Sequence, residues 1–187
     1  MLIFLALLMA PADSAPSVPA GVPVLEPEAA AAFVREGEEK EERTAREIEG
    51  RSNEEVLRAL TESLSGRSNL VYQEGHGVFV EYTAPDGQLR MWYPNNVRVV
   101  RGSWGVRQVR GRARACFRYV NAVNPVTQVF EPTECVSAVQ SLSGANVLRS
   151  WPGDVFGLME DRIPYRKTSM DMPSPELLGE GAASSQP

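Results

Sequence analysis

The chain of 187 residues carries a net charge of −5 at pH 7, with 43% hydrophobic and 23% charged residues, which suits one globular domain with tails. This composition excludes a membrane-spanning or wholly disordered chain, and the negative charge argues against a bulk nucleic-acid binder. Two cysteines and one histidine exclude a Cys/His zinc cage and a second histidine for acid–base work.

Residues 1–15 have the outline of a secretory signal peptide. The apolar run at residues 2–10 is far shorter than the roughly 20 residues that cross a bilayer. Small residues follow it, and Ala10-x-Ala12 or Ala12-x-Ser14 fits the cleavage rule of signal peptidase. We therefore expect export to the periplasm or secretion. No Lys or Arg precedes the run, so the alternative is a hydrophobic tail that packs on the domain or stays disordered.

Residues 16–27 are rich in proline and are predicted to form an extended linker, because proline at this density prevents regular pairing. Residues 28–66 are predicted to be helical. From Glu28 to Glu49, a run of alanines precedes an alternation of Glu and Arg with few apolar residues, which is typical of a solvent-exposed helix. A coiled coil that binds a partner is the alternative.

A second helix within this segment has a clearer signal. Ser52 and Glu55 have the spacing of a capping box, and Gly66 fits a C-terminal stop. Because its apolar residues fall near one face at helical spacing, we expect this short helix to pack on a sheet. Those residues are Val56, Leu57, Leu60 and Leu64.

Residues 67–150 are predicted to form an antiparallel β domain. The turn Pro85-Asp86-Gly87 joins two β-rich segments into a hairpin, and a second hairpin is predicted around Arg110-Gly111-Arg112. The predicted strands are 77–83, 88–93, 97–100, 103–109, 113–120, 128–130 and 135–139.

The predicted fold class is α+β: an antiparallel β-meander or half-open barrel with one or two N-terminal helices packed on it. Residues 151–187 lose the strand pattern and are expected to be a largely disordered C-terminal tail, with a short helix near 154–161 as its one regular element.

Cys116 and Cys135 are the two cysteines of the chain. In an oxidising compartment an even number of cysteines indicates a disulfide, which agrees with the predicted export. Two buried free thiols in a cytosolic protein are the alternative.

Eight arginines and no acidic residue lie between residues 87 and 131. Alternate residues of a strand face opposite sides, so Arg114 and Arg118 share one face, and Arg90 points with Trp92. We expect one face of the sheet to be apolar and covered by the leucine-bearing helix. The other face is expected to present arginines beside a tryptophan.

This arginine-rich face is the predicted binding site, made of Arg90, Trp92, Arg114 and Arg118. The planar guanidinium binds carboxylate or phosphate with two hydrogen bonds, and stacking on tryptophan adds to such a site. The expected partners are an anionic envelope component, such as a cell-wall glycan, a lipopolysaccharide phosphate or an acidic lipid, or a periplasmic protein. The alternative is a solvated face balanced by the acidic helix at residues 36–49.

Catalytic, cofactor and metal sites are not predicted, since no nucleophile, metal-protease, P-loop or dinucleotide fingerprint is present. His76, between two glycines, is a general base only with an acid such as Glu74 or Glu81 beside it. Glu81 with Glu131 or Glu134 is a conceivable carboxylate pair for glycoside hydrolysis, but nothing in the spacing of these residues favours it over ordinary surface acids. Trp104 is predicted to be a core aromatic.

Several motifs of the β domain also carry a resemblance. Trp92-Tyr93-Pro94, the Gly102-x-Trp104-x-Val106 strand, Cys116-Phe117-x-Tyr119 and the later Cys135 resemble an uncharacterised family of small exported alphaproteobacterial domains. The resemblance covers about 45 residues, from Trp92 to Cys135. It implies a secreted antiparallel domain with one disulfide and supplies no catalytic residues.

The expected function is that of a non-catalytic exported module that binds an anionic ligand or surface. The second hypothesis is an inhibitor or regulator of a periplasmic cell-wall enzyme that inserts the loop 74–77 or Asn95-Asn96. The third is a hydrolase that uses His76 or a carboxylate pair.

Overall fold

The computed structural model describes residues 27–73, 77–92, 98–120 and 133–163. In chain order the elements are α1 (Pro27–Ile48), α2 (Asn53–Leu64), β1 (Arg67–Gln73), β2 (Gly77–Thr83), β3 (Gln88–Trp92), β4 (Val100–Val109), β5 (Arg112–Tyr119), β6 (Thr133–Ser137), α3 (Ala138–Ser143), β7 (Val147–Pro152) and a 3₁₀ turn, Leu158–Glu160.

All seven strands belong to one antiparallel sheet in the order β6-β5-β4-β3-β2-β1-β7. Strands β1 to β6 follow one another as a meander, and β7 returns across the molecule to pair with β1. The sheet is curled into a half-barrel with the N-terminal helices packed on it. The predicted α+β class and half-open barrel are therefore confirmed.

Both predicted hairpins are present. The β2–β3 turn places Gly87 at a φ of 85°, and the Asp86 carboxylate accepts a hydrogen bond from the Gln88 amide. The β4–β5 turn places Arg110 and Gly111 at positive φ, the geometry of a tight two-residue hairpin.

Strand β4 is one continuous strand, whereas the sequence predicted two short ones. Gly102 lies within it, and a Cβ at this position would overlap the carbonyl oxygen of Arg118 on β5. The glycine therefore permits a close approach of β4 and β5 and does not interrupt the strand.

Helix α2 forms as predicted. Ser52 accepts a hydrogen bond from the Glu55 amide, and the Glu55 carboxylate accepts one from the Ser52 amide at 2.8 Å, which completes the capping box. The Asn53 side chain donates to the Gly111 carbonyl and accepts from the Ala113 amide, so the helix start is fixed to the β4–β5 hairpin. The buried face of α2 packs on β4 and β5. It consists of Val56, Leu60 and Leu64.

Helix α1 is more engaged than its polar pattern predicts. It packs against α3, and Gly37 lies against the turn that follows α3, where a Cβ would be 2.9 Å from the Ala145 carbonyl oxygen; Thr44 is also buried. Phe33 contacts Tyr72 edge-on, with ring centroids 5.9 Å apart. A small residue at the crossing point makes this contact possible without a large apolar stripe.

The region after β6 differs from the prediction. The strand expected at 135–139 ends at Ser137, whose hydroxyl accepts from the Gln140 amide and caps α3. Strand β7 extends the β domain past residue 150, and residues 153–163 pack on the sheet. Leu158 is fully buried, and the Asp154 carboxylate accepts from the backbone amides at the start of the 3₁₀ turn. The predicted boundary at residue 150 is therefore wrong.

Apolar clusters lie on both faces of the sheet, so the expectation of one apolar face is also wrong. On the first face, which we call the helix-covered face, α2 and α3 cover Leu89, Ala115 and Phe117. On the opposite face, the segment 153–163 covers β1–β3 around Trp92. The two covers lie over different strands, and this leaves the opposite face open over β4–β6.

Some predictions lie outside the described residues. These are the signal peptide at 1–15, the linker up to residue 26, the strand at 128–130, the tail from residue 164, His76, Asn95, Asn96 and Glu131.

Candidate functional site

One open face of β3–β6 concentrates the arginines. Residues that pair across an antiparallel sheet share a face, and the register pairs Arg90 with Arg101, and Arg107 with Arg114. Like charges directly opposite one another destabilise a sheet, so this arrangement is unfavourable for the fold alone. We call this surface the arginine face. Its members are Arg90, Arg101, Arg107, Arg112, Arg114 and Arg118.

A groove of about 550 Å³ crosses the strands in the middle of the arginine face. Its floor is Gly105 with the Cys116–Cys135 disulfide, which are aligned on β4, β5 and β6. A Cβ at Gly105 would meet no atom within 4 Å, so the floor is open above β4. The side chains that line the groove above this floor are Ser103, Arg107, Arg118 and Thr133.

The predicted disulfide is present, and two guanidinium groups lie over it. The Cα atoms of Cys116 and Cys135 are 4.0 Å apart in directly paired positions. Arg107 Nε lies 3.3 Å from Cys116 Sγ, and its Nη2 lies 3.7 Å from Cys135 Sγ. Arg114 Nη1 donates to the Cys135 carbonyl oxygen at 3.2 Å. The sulfur contacts turn Arg107 toward the groove, whereas Arg114 is not among the residues that line it.

Among the described residues, no ion pair joins the acidic helix α1 to the arginine face, so the alternative in which this helix neutralises the arginines finds no support there. The ion pairs of α1 are within the helix, Lys40 with Glu36 and Arg46 with Glu42. On the arginine face, Arg101 pairs with Asp161, and the hydrogen bond from this guanidinium lowers the pKa of the Asp161 carboxyl. Within the described ranges, the four remaining arginines of β4 and β5 have no acidic partner. They are Arg107, Arg112, Arg114 and Arg118.

The four predicted binding residues do not form one site. Arg114 and Arg118 lie on β5 on either side of the disulfide. Arg90 is turned toward its own strand, where it donates to the Leu89 carbonyl and to Gln88 Oε1. Trp92 is 1% exposed and belongs to the core under residues 153–163, so the expectation of an exposed stacking tryptophan is wrong.

The sequence prediction missed Arg107, Gly105, Ser103 and Thr133. Alternation along β4 places Ser103, Gly105 and Arg107 on one face, and the tight turn at Arg110-Gly111 fixes which β5 residues oppose them. The hairpin register was therefore the signal that could have identified the first three. Thr133 depends on the pairing of β6, which follows a long connection.

Trp104 is a core residue, as predicted. It lies on the helix-covered face opposite Phe117, and its indole nitrogen donates to the Ala84 carbonyl oxygen at 2.8 Å.

The Glu81 carboxyl has a distinct environment on the helix-covered face. It accepts a hydrogen bond from Asn69 Nδ2 at 3.2 Å and is opposite the buried Met91. Burial raises the pKa of Glu81, the hydrogen bond from Asn69 lowers it, and the charge of Glu134 raises it further. Three strands lie between β2 and β6, so a flat sheet would hold these two carboxyls far apart. The curl of the sheet brings them within electrostatic range. The other partners considered for Glu81, His76 and Glu131, lie outside the described residues.

Glu81→Gln is expected to change the pH dependence of stability. Because its pKa is raised above the ordinary value of 4.5, the folded protein binds more protons than the unfolded chain, so the stability that this carboxyl contributes at acidic pH is lost as pH rises from below 4.5 toward neutral. The amide keeps the acceptor for Asn69, and the variant is expected to lose this decline. Urea unfolding across this pH range measures it. Glu62→Gln, at an exposed position of α2, controls for net charge, and an unchanged slope in Glu81→Gln would contradict the assignment.

Comparison with protein-family models, with curated proteins and with solved structures finds no match to this chain. Among the helices that the structure describes, none is both long enough and apolar enough to span a membrane. Within the same residues, no three His, Cys, Asp or Glu side chains are grouped to hold a metal ion.

Proposed function

We propose that the protein is an exported, non-catalytic module that binds an anionic ligand or surface through its arginine face. The observation that carries this proposal is the groove over the disulfide, which is flanked by arginines that lack an acidic partner among the described residues.

The electrostatics of the groove support an anionic occupant. Arg107 and Arg114 are directly opposite each other, and the Arg107 guanidinium is held at the groove by its contacts with the Cys116–Cys135 bridge. An anion between the arginines offsets the repulsion between them, and it gains charge-assisted hydrogen bonds, which are about twice as strong as neutral ones.

Export is supported by the Cys116–Cys135 disulfide, because such bonds persist in oxidising compartments. A periplasmic or secreted location places the arginine face among phosphorylated and carboxylated envelope glycans, acidic lipids and acidic protein surfaces.

The other two hypotheses gain less from the described residues. The loops for enzyme inhibition, 74–77 and 95–96, fall largely outside them. Glu81 and Glu134 are in electrostatic range, yet Glu81 faces the helix-covered side and is bonded to Asn69.

The double variant Arg114→Glu/Arg118→Glu is expected to lose binding to polyanions. Each charged hydrogen bond contributes about 1.5–3 kcal/mol, so two reversals lower affinity about 100-fold or more. The probes are inorganic polyphosphate and polygalacturonate in equilibrium titrations at increasing salt, where wild-type affinity should fall as salt rises.

The matched control is Arg35→Glu/Arg43→Glu, which makes the same charge change at exposed positions of α1. Circular dichroism and thiol counting establish that each variant keeps its fold and its disulfide. The proposal is overturned if wild type binds neither polyanion, or if both double variants lose affinity equally.

A further inference from the structure

The groove on the arginine face contains more than positive charge. Ser103, Arg118 and Thr133 are aligned across β4, β5 and β6, which places two hydroxyls on either side of one guanidinium over about 10 Å. Neither hydroxyl is hydrogen-bonded to another group of the described residues. The two hydroxyls and the Arg118 guanidinium are a row of hydrogen-bond donors that forms one wall of the groove.

The opposite wall is Arg107. Its Cα lies two register rows from Ser103, but its guanidinium reaches back over the disulfide, with Nε 3.3 Å from Cys116 Sγ. An anion beside this guanidinium therefore has Arg107 on one side and the Ser103–Arg118–Thr133 row on the other. Gly105 leaves the space between them empty of side chains.

The number and placement of these donors discriminate between anions. A carboxylate is planar, and one guanidinium fork satisfies both of its oxygens. A phosphoryl group is tetrahedral and presents three terminal oxygens that accept from several directions. Two guanidinium forks on opposite sides, with the Thr133 hydroxyl at the β6 end of one wall, match the phosphoryl group.

The size of the groove indicates what carries that group. A volume of about 550 Å³ lies within the range of small-molecule pockets and exceeds what one phosphate occupies. Beside Arg107, Gly105 leaves a stretch of floor without a side chain, against which a sugar ring can lie.

We propose that the groove binds a phosphomonoester of a sugar, with the phosphoryl group between Arg107 and the Arg118–Thr133 end of the row. This inference rests on the proposed function and specifies its ligand class. The same chemistry occurs on phosphorylated glycans and on phosphorylated sugar headgroups of lipids, and a soluble sugar phosphate represents both.

The test compares N-acetylglucosamine 1-phosphate, inorganic phosphate and glucuronate by isothermal titration with the full chain. We expect the sugar phosphate to bind at least about tenfold more tightly than glucuronate, and more tightly than inorganic phosphate. Thr133→Val is expected to reduce affinity for the sugar phosphate about tenfold, from the loss of one hydrogen bond to a charged group, with little effect on glucuronate. Thr61→Val, at an exposed position of α2, is its control.

Gly105→Val tests the position of the site. Its added side chain enters open space and suits a strand, so the fold is expected to persist while binding of the sugar phosphate is lost. Normal affinity in this variant overturns the groove as the site.

The two proposals fail in different ways. Equal or tighter binding of glucuronate overturns the phosphomonoester and leaves the anion-binding function intact. Binding of polyphosphate without any small probe also overturns the groove. Absence of binding to every anion, polymers included, overturns both.

Discussion

Replacing Trp92 with alanine is expected to lower the free energy of unfolding by about 3–5 kcal/mol, the usual cost of deleting a large buried aromatic side chain. Trp92 is 1% exposed and packs with Leu70, Val80 and Leu158, so the cavity would lie between the sheet and its C-terminal cover. Urea unfolding followed by circular dichroism measures the change.

Two comparisons make this prediction specific. Trp92→Phe keeps an aromatic ring and should lose much less stability. Below the unfolding transition, affinity of Trp92→Ala for polyphosphate should stay within about twofold of wild type, because distant sites act independently. If Trp92→Ala is as stable as wild type but binds polyphosphate more weakly, the prediction is contradicted and Trp92 belongs to the ligand site.

Removing the disulfide by Cys116→Ala/Cys135→Ala is expected to cost about 3 kcal/mol, the stabilisation associated with closing a loop of this length. The two cysteines are 19 positions apart, and the loop contains the whole connection between β5 and β6. The β5–β6 ladder remains to hold the strands, so we expect a folded but less stable protein. The midpoint of urea unfolding reports the difference.

Wild-type protein treated with a strong dithiol reductant is the natural control, because it loses the bond without losing the sulfur atoms. Its free energy of unfolding should fall to within about 1 kcal/mol of that of the double variant. If the free energy of unfolding falls by less than about 1 kcal/mol in both samples, the pairing of β6 with β5 alone fixes this edge of the sheet.

The elements that the sequence predicted well have local causes. The capping box of Ser52 and Glu55, the turn at Gly87 and the turn at Arg110-Gly111 each need only a few neighbouring residues. The disulfide followed from the count of cysteines and the expected compartment. Together they were enough to predict the α+β class and the curled antiparallel sheet.

The elements that the prediction missed depend on distant partners. Strand β7 has no strong pattern of its own and is fixed by pairing with β1, some 80 residues earlier in the sequence. Gly37 gives no signal until α3 lies against it. Alternation places Trp92 on the same face as Arg90, as predicted. Residues 153–163 cover that part of the face, so Trp92 is a core residue and not a surface residue.

The candidate site divides in the same way. Alternation alone put Arg114 and Arg118 on one face, but Arg107 becomes their neighbour only through the register of the β4–β5 hairpin. The partner of Arg101 is Asp161, in a segment that was not expected to pack on the sheet. Charge balance on a sheet face is thus a property of the assembled fold, and counting charges along the chain did not predict it.

The placement of β7 beside β1 has a consequence for how the molecule folds. The first strand of the chain obtains its second neighbour only when the last strand is available, and until then β1 is a long unpaired edge with open backbone donors and acceptors. A polypeptide that emerges with its N-terminus first must carry this edge through synthesis. Contacts this far apart in sequence are slow to form, so the nascent chain should be most prone to aggregate in the interval before residue 152 is free.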